Sequence, residues 1–223
     1  MRFPFIFWQK FALLFLAIPL ATAADGPDVH TVAQAVDNHY NHLKTLQADF
    51  TETYRGNGME RMESGTLWLK KPGKMRWEYR SPKEKLFLSD GQNAWFYVPG
   101  DRQARKTPVR KLDDLRSPLG FLLGKAKLEK ELQGLSRAPD LTPANPGGVV
   151  LRGVPKALAG RVNFVVLEIT SGNWIRRIVI EEMDGSSTEF VFQNPKENVE
   201  IVDQRFRFTP PAGVETVQED LGQ

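Results

Sequence analysis

The sequence contains no cysteine, which excludes a disulfide scaffold, a thiol nucleophile, a thiolate zinc site and a lipid anchor on cysteine. Histidine is nearly as scarce: three in 223 residues, all in one N-terminal stretch, His30, His39 and His42. His39 and His42 share a helix face, so a two-His metal site with Asp37 or Asn38 is conceivable. No further ligand stands nearby, and solvated helix polars are the better reading, so neither a metal nor a cofactor is expected. A Gly-x-Ser-x-Gly elbow, a His-Glu-x-x-His helix and a glycine-rich phosphate loop are all missing. Glu181-Glu182 and Asp113-Asp114 are adjacent carboxylates. Neighbours in a strand point to opposite faces, so the glutamates cannot act together on one bond. No catalytic residue is expected, and the chain reads as a non-enzyme.

Charge of one sign is also lacking, with 30 Lys+Arg against 27 Asp+Glu. Long apolar runs are absent too. The uncharged run from Phe11 to Ala24 is 14 residues, short for a membrane-spanning helix. With Arg2 and Lys10 before it and Ala21-Thr22-Ala23 closing it, residues 1–23 read as an export signal cleaved before Ala24. A retained anchor is the alternative, since Phe3 to Trp8 is also apolar. Removing the signal takes Arg2 and Lys10 and leaves 28 basic against 27 acidic residues, no footprint for nucleic acid. The expected organisation is a signal at 1–23 and a single exported domain at 24–223.

What is present is a globular composition, 41% hydrophobic and 26% charged. Val32, Val36, Tyr40, Leu43 and Gln47 step at helical spacing, predicting a helix over Val29–Gln47 capped by Asp28 or Thr31. After Ala48 the period changes to short runs punctuated by Gly and Pro turns, the rhythm of an antiparallel sheet. Strands are predicted from Phe50 to Tyr54, Thr66 to Lys70, Lys74 to Arg80, Leu86 to Ser89 and Ala94 to Val98. Later strands run from Val149 to Val154, Val162 to Thr170, Trp174 to Met183 and Ser187 to Gln193. Shorter ones are expected at Glu200–Ile201 and Arg205–Phe208. Asp184-Gly185 marks a hairpin.

The cleanest alternation is Lys74 to Arg80, which sets Met75, Trp77 and Tyr79 on one face and four charges on the other. A one-residue slip would bury those charges, so the orientation is nearly forced. Thr188, Phe190 and Phe192 repeat the pattern, as do Phe206 and Phe208. The sheet therefore has one wet face and one face of large apolar side chains. Between Val98 and Val149 the strand rhythm fails. Ser117-Pro118 starts a short helix with the apolar run Leu119, Phe121, Leu122 and Leu123, bounded by Gly124. Ala126 to Leu132 is a second helical candidate.

Several stretches resemble the LolA family of periplasmic outer-membrane lipoprotein carriers. They are Gly65 to Tyr79 (GTLWLKKPGKMRWEY), Leu88-Ser89-Asp90-Gly91 with Trp95-Phe96-Tyr97, Ser117-Pro118-Leu119, and Phe206 to Val214 (FRFTPPAGV). The resemblance implies an α+β fold: an incomplete antiparallel β-barrel, or half-barrel, with an apolar concave face covered by a helical lid. It also implies a monomeric carrier that binds the acyl chains of lipoproteins released by an inner-membrane ABC transporter and passes them to a LolB-like outer-membrane receptor. That receptor shares the fold but is anchored through a lipidated cysteine, which this chain lacks. The family commonly carries Arg where this chain has Lys71, so Lys71 stands as a candidate lid latch without arginine's forked contact.

The expected acyl-chain cavity is lined by Met75, Trp77, Tyr79, Leu86, Leu88, Phe96, Phe190 and Phe192. Phe50, Leu67, Leu69, Phe206 and Phe208 are further candidates. Trp68, Phe87 and Trp95 have apolar neighbours, which leaves their facing open. Leu119, Phe121, Leu122 and Leu123 form the expected lid. The runner-up reading is a periplasmic half-barrel that binds a lipid or peptide as a signal.

Overall fold

The computed structural model describes residues 28–109 and 127–218. Its first element, α1 (Val29–His42), begins at Asp28. The Asp28 carboxylate accepts from the backbone N–H groups of His30 and Thr31, at 2.9 and 3.2 Å, and from the Thr31 hydroxyl at 2.6 Å. It satisfies donors that the first helical turn leaves without a partner. Val32, Ala33, Val36 and Tyr40 form the buried stripe. The helix stops at His42 rather than at Gln47. From Thr45 onward Leu46, Ala48 and Phe50 follow the two-residue period of a strand, and Leu43 to Gln47 matched helical spacing only by coincidence.

Twelve strands follow: β1 (Thr45–Gly56), β2 (Met59–Lys70), β3 (Lys74–Ser81), β4 (Lys85–Asp90), β5 (Asn93–Tyr97), β6 (Gln103–Pro108), β7 (Leu132–Arg137), β8 (Val149–Pro155), β9 (Val162–Ile169), β10 (Ile175–Glu182), β11 (Ser187–Glu197) and β12 (Glu215–Gln218). They make one sheet in the order β12-β6-β5-β4-β3-β2-β1-β11-β10-β9-β8-β7, antiparallel except for β12 on β6. Among the described residues its two edges, β12 and β7, do not pair with each other, so the barrel is incomplete. A one-turn helix, α2 (Leu128–Glu131), precedes β7, and its Leu128 N–H donates to Asp37 of α1 at 3.0 Å.

Local chemistry fixes the register. Asn57 and Gly58, at φ 51° and 73°, make the two-residue turn between β1 and β2, the conformation whose twist suits a hairpin. Gly65 sits at a bulge where β2 meets β3, and a Cβ there would lie 1.8 Å from the Glu78 carbonyl oxygen. Only glycine allows the two backbones to approach so closely.

Several strand expectations need correction. Arg205–Phe208 is not a strand: Asp203–Phe206 is a 3-10 turn, and Glu200–Ile201 is irregular. Strands β6 and β7 occupy the stretch between Val98 and Val149, where polar sequences such as QARKTP hide an edge-strand period. The short α2 lies within the helix expected at Ala126–Leu132.

Cross-strand pairs share a face, so the register sorts the side chains. One face, here called inner, carries Leu46, Ala48 and Phe50 of β1, Leu67 and Leu69 of β2, Met75, Trp77 and Tyr79 of β3, and Phe190 and Phe192 of β11. The buried stripe of α1 belongs to the same apolar cluster, together with Leu151, Leu167, Ile178 and Trp174. The helix thus covers the inner face. On the outer face the C-terminal segment crosses β2 to β5, and Ile201 and Phe206 bury Trp68.

Candidate functional site

The inner face is centred on Trp77, 3% exposed. Its neighbours follow from the register: Trp77 pairs with Leu67 on one side and Phe87 on the other, and Phe50 pairs with Phe192. Gly65 stands between Phe50 and Tyr79 on adjacent strands. With no side chain between them, those two rings meet edge to face at 4.9 Å. Phe50 also meets Trp77 at 4.8 Å, Trp77 meets Phe190 at 5.7 Å and Phe192 at 6.1 Å, and Phe192 meets Trp174 at 6.2 Å. Such ring pairs contribute about 0.5–1.5 kcal/mol each beyond area burial. The Trp77 indole N–H points at the Met75 sulfur, 3.4 Å away, a soft and weak acceptor. Apolar contact, not directional bonding, therefore holds the rings around Trp77.

Of the thirteen residues expected to line a cavity, the structure gathers Phe50, Leu67, Leu69, Met75, Trp77, Tyr79, Phe190 and Phe192 into one cluster. Phe96 lies on the same face at its margin, opposite Phe87 and beneath the Arg105 guanidinium at 5.7 Å. The other four are elsewhere. Leu86 and Leu88 pair with Glu78 and Arg76, so they point to the outer face, and Phe87 between them points inward. Phe206 packs with Trp68 and Ile201 on the outer face, and Phe208 contacts Trp95 and Tyr97 there, at 5.4 and 5.5 Å. The physical reason is that the outer face is also apolar under the C-terminal segment, so an apolar residue on these strands does not by itself mark the inner face. Leu119, Phe121, Leu122 and Leu123 lie outside the described residues.

Lys71, the candidate lid latch, reaches α1, while the expected lid lies outside the described residues. Its ammonium donates to the Tyr40 carbonyl near the C-terminus of α1, and its backbone N–H donates to Lys44 at 3.0 Å. A cation there meets carbonyls that the helix leaves without a partner. Burial pushes the Lys71 ammonium below the ordinary lysine range. The Tyr40 hydroxyl accepts from the Ile175 N–H at 3.1 Å, and its ring stacks on Trp174 at 6.4 Å. These ties fasten α1 over one end of the inner face, at the β2–β3 and β9–β10 turns.

Polar residues at the opposite end were missed in the sequence. Glu52 and Glu63 face each other across β1 and β2. The Tyr79 hydroxyl donates to Glu52 at 2.6 Å, and Lys85 donates to Glu63 at 2.6 Å with its ammonium 4.3 Å above the Tyr79 ring. Burial raises the Glu52 carboxyl above its usual value, against the Tyr79 hydrogen bond; the same burial, with the neighbouring Glu52 charge, raises the Tyr79 hydroxyl. The alternation Leu46, Ala48, Phe50, Glu52 carried the signal for Glu52.

The histidines do not converge. His30 contacts Glu129 of α2 at 2.9 Å, His39 contacts Glu197 at 3.0 Å, and His42 donates to the Asn38 carbonyl at 2.8 Å. Among the described residues, no helix is long and apolar enough to cross a membrane.

The sequence model for the family described as outer membrane lipoprotein carrier protein LolA matches residues 41–209. An outer-membrane lipoprotein carrier protein of Nitrosospira multiformis is 29% identical over 218 residues, covering 95% of this chain and 98% of its own length. That of Chromobacterium violaceum is 30% identical over 180 residues, covering 79% and 82%. A solved structure of an uncharacterized conserved protein from Thermus thermophilus superposes with a TM-score of 0.52 at 12% identity, over 85% of this chain and 98% of that one, a likeness of fold alone. By the match over residues 41–209 and the extent of these sequence identities, the chain belongs to the LolA family of outer membrane lipoprotein carrier proteins.

Proposed function

We infer that the protein carries acylated lipoproteins through the periplasm, holding their acyl chains against the inner face around Trp77. The observation that carries this reading is the aromatic cluster of Phe50, Trp77, Phe190 and Phe192 on one face of an open sheet, in a chain of the carrier family. Burying acyl chains is worth about 0.8 kcal/mol per CH₂, so one sixteen-carbon chain is worth about 12 kcal/mol. A carrier must shield most of that surface, or the cargo stays in a bilayer. In the closed state the rings shield one another; on loading, ring-to-ring contacts give way to ring-to-chain contacts of the same apolar kind, with few hydrogen bonds broken.

Residues 1–23 serve in this reading as the export signal, and 24–223 as the single carrier domain. An inner-membrane ABC transporter loads the carrier, and an outer-membrane receptor unloads it by binding the cargo more tightly. The run at Leu119, Phe121, Leu122 and Leu123 is the proposed cover of the face in the empty state. No catalytic step is assigned to any residue.

The test is release of lipoprotein from spheroplasts by the purified chain 24–223, followed by native mass spectrometry of the soluble fraction. A one-to-one complex with intact acylated lipoprotein is expected. Free lipid alone would favour a lipid-binding sensor, and an empty chain beside an active transporter would overturn the carrier reading.

A further inference from the structure

The two ends of the inner face differ. At one end Tyr40, Trp174 and the Lys71 contact fasten α1 across the β2–β3 and β9–β10 turns. At the other end lie the β1–β2 and β10–β11 hairpin tips, brought together where Gly56 approaches Ser186. Along β1 the inner side chains run from Leu46 at the helix-covered end through Ala48 and Phe50 to Glu52. Six residues of strand separate Leu46 from Glu52, about 20 Å, comparable to an extended long acyl chain. The change from apolar to polar falls across two successive levels of four adjacent strands: Tyr79 on β3 and Lys85 on β4 stand level with Phe50 and Gly65, and Glu52 on β1 and Glu63 on β2 stand one inward-facing step further toward the hairpin tips. Beyond them, at the hairpin tips, Met59 and Met183 are 64% and 66% exposed.

We propose that Glu52, Glu63, Tyr79 and Lys85 form a polar collar that receives the amide and ester linkages of an acylated polypeptide, so that cargo enters from the hairpin end with its chain tips pointing toward α1. The proposal rests on the carrier reading and adds to it a site for the head of the ligand and a direction for its tails.

The chemistry of the collar fits such a head. An acyl linkage presents carbonyl oxygens, which accept, and an amide N–H, which donates. The Lys85 ammonium has three donors, of which Glu63 takes one. Tyr79 engages Oε2 of Glu52, and Lys85 and Arg61 engage Oε2 of Glu63. The second oxygen of each carboxylate takes no hydrogen bond from the described residues and is placed to accept from an amide. Two carboxylates beside an aromatic cluster are costly in the absence of hydrogen-bonding partners, and the collar supplies those partners within the site. With the collar at the hairpin end, the polar groups of the α1 end, Lys71 and the Tyr40 hydroxyl, are already paired within the protein, and a chain terminus there needs nothing but van der Waals contact.

Two measurements test this. The first compares binding of an N-palmitoyl peptide amide, its N-methylated counterpart lacking the amide hydrogen, and a headless hexadecyl chain, by displacement of an uncharged fluorescent acyl probe. The parent protein is expected to prefer the amide over the N-methyl form by about tenfold, the size of one hydrogen bond to a charged group. Joint substitution Glu52→Leu and Glu63→Leu is expected to abolish that preference and leave headless-chain binding within about twofold. The second uses the parent chain labelled with 5-fluorotryptophan and the palmitoyl peptide carrying a nitroxide either near the head or near the methyl end. The methyl-end label is expected to broaden the Trp174 fluorine resonance most, and the head-proximal label to broaden Trp77 more than Trp174. If no acyl probe binds at all, the carrier reading falls. If the probes bind but the amide preference survives the double substitution, or the nitroxide pattern is reversed, the collar proposal falls and the carrier reading stands.

Discussion

The two faces of the sheet bury aromatic residues in different ways. On the outer face Trp68 lies beneath Phe206 and Ile201, with the Arg205 guanidinium 4.5 Å above its ring. Trp95 lies against Phe208, with the Lys106 ammonium 4.9 Å away. The covering segment is tied down by polar contacts: Lys70 donates to the Ile201 carbonyl at 2.7 Å, Lys70 and Lys74 pair with Asp203 at 2.7 and 2.9 Å, and Arg76 donates to the Arg205 carbonyl at 3.1 Å. On the inner face the rings of Phe50, Trp77, Phe190 and Phe192 touch one another, and among the described residues their side chains make one hydrogen bond, the weak Trp77 N–H to sulfur contact. The segment over the outer face is thus held by directional bonds, and so is α1 at one end of the inner face, whereas the rings around Trp77 are held by contacts that another apolar surface can replace. In the proposed function the outer face is the fixed back and the ring cluster the exchangeable front.

The sharpest test of that difference is a pair of truncations. Trp77→Ala and Phe206→Ala each remove a nearly fully buried ring and are each expected to cost about 3–5 kcal/mol in denaturant unfolding. Their effects on cargo should diverge: Trp77→Ala weakens lipoprotein retention, and Phe206→Ala leaves it unchanged at temperatures where both variants are folded. Equal loss of retention would erase the distinction between the faces.

A second prediction concerns pH at the inner face. Burial raises Glu52 above its ordinary value of 4.5. The folded state therefore holds the protonated form better than the unfolded state does. That contribution is complete below the ordinary value and is lost as pH rises through the raised one. Glu52→Gln cannot ionise and can still accept from Tyr79, so it should be more stable than the parent at neutral pH. The advantage should disappear in acid, as followed by thermal unfolding across pH.

The outer tie has the opposite sign and the smallest expected effect. Hydrogen bonds from Lys70 and Lys74 hold Asp203 down at about 2, from an ordinary 3.8. Its contribution is present above the ordinary value and lost only as pH falls through about 2, so between mildly acidic and neutral pH the tie does not change. Asp203→Asn should increase hydrogen exchange in the segment around Ile201 and Phe206, with less difference at high salt, where exposed pairs are screened. It should not alter exchange around Trp77.

Much of this was legible in the sequence where a single face is apolar. The Lys74–Arg80 alternation fixed β3, and Phe190 and Phe192 followed the same rule on β11. Legibility failed where both faces are covered. Leu86-Phe87-Leu88 has no two-residue period because Phe87 packs inward while Leu86 and Leu88 face the outer side, and the covering segment lies more than a hundred residues further along the chain. Arg205 to Phe208 alternates as a strand would, yet it forms a 3-10 turn and an extended tail whose two phenylalanines pack against the sheet from outside. Periodicity reports which residues are buried, not what buries them. Glu52 was legible by alternation, but Lys85, which donates to Glu63 beside it, depended on the β3–β4 register, and Lys71 on where α1 ends.

In the proposed function cargo chains lie on the inner face and not on the outer one. The most direct measurement is photocross-linking of a lipoprotein bearing a diazirine in its acyl chain, loaded onto the carrier and mapped by peptide mass spectrometry. Adducts are predicted on Phe50, Trp77, Phe190 or Phe192; adducts confined to Trp68, Phe206 or Phe208 would contradict the account.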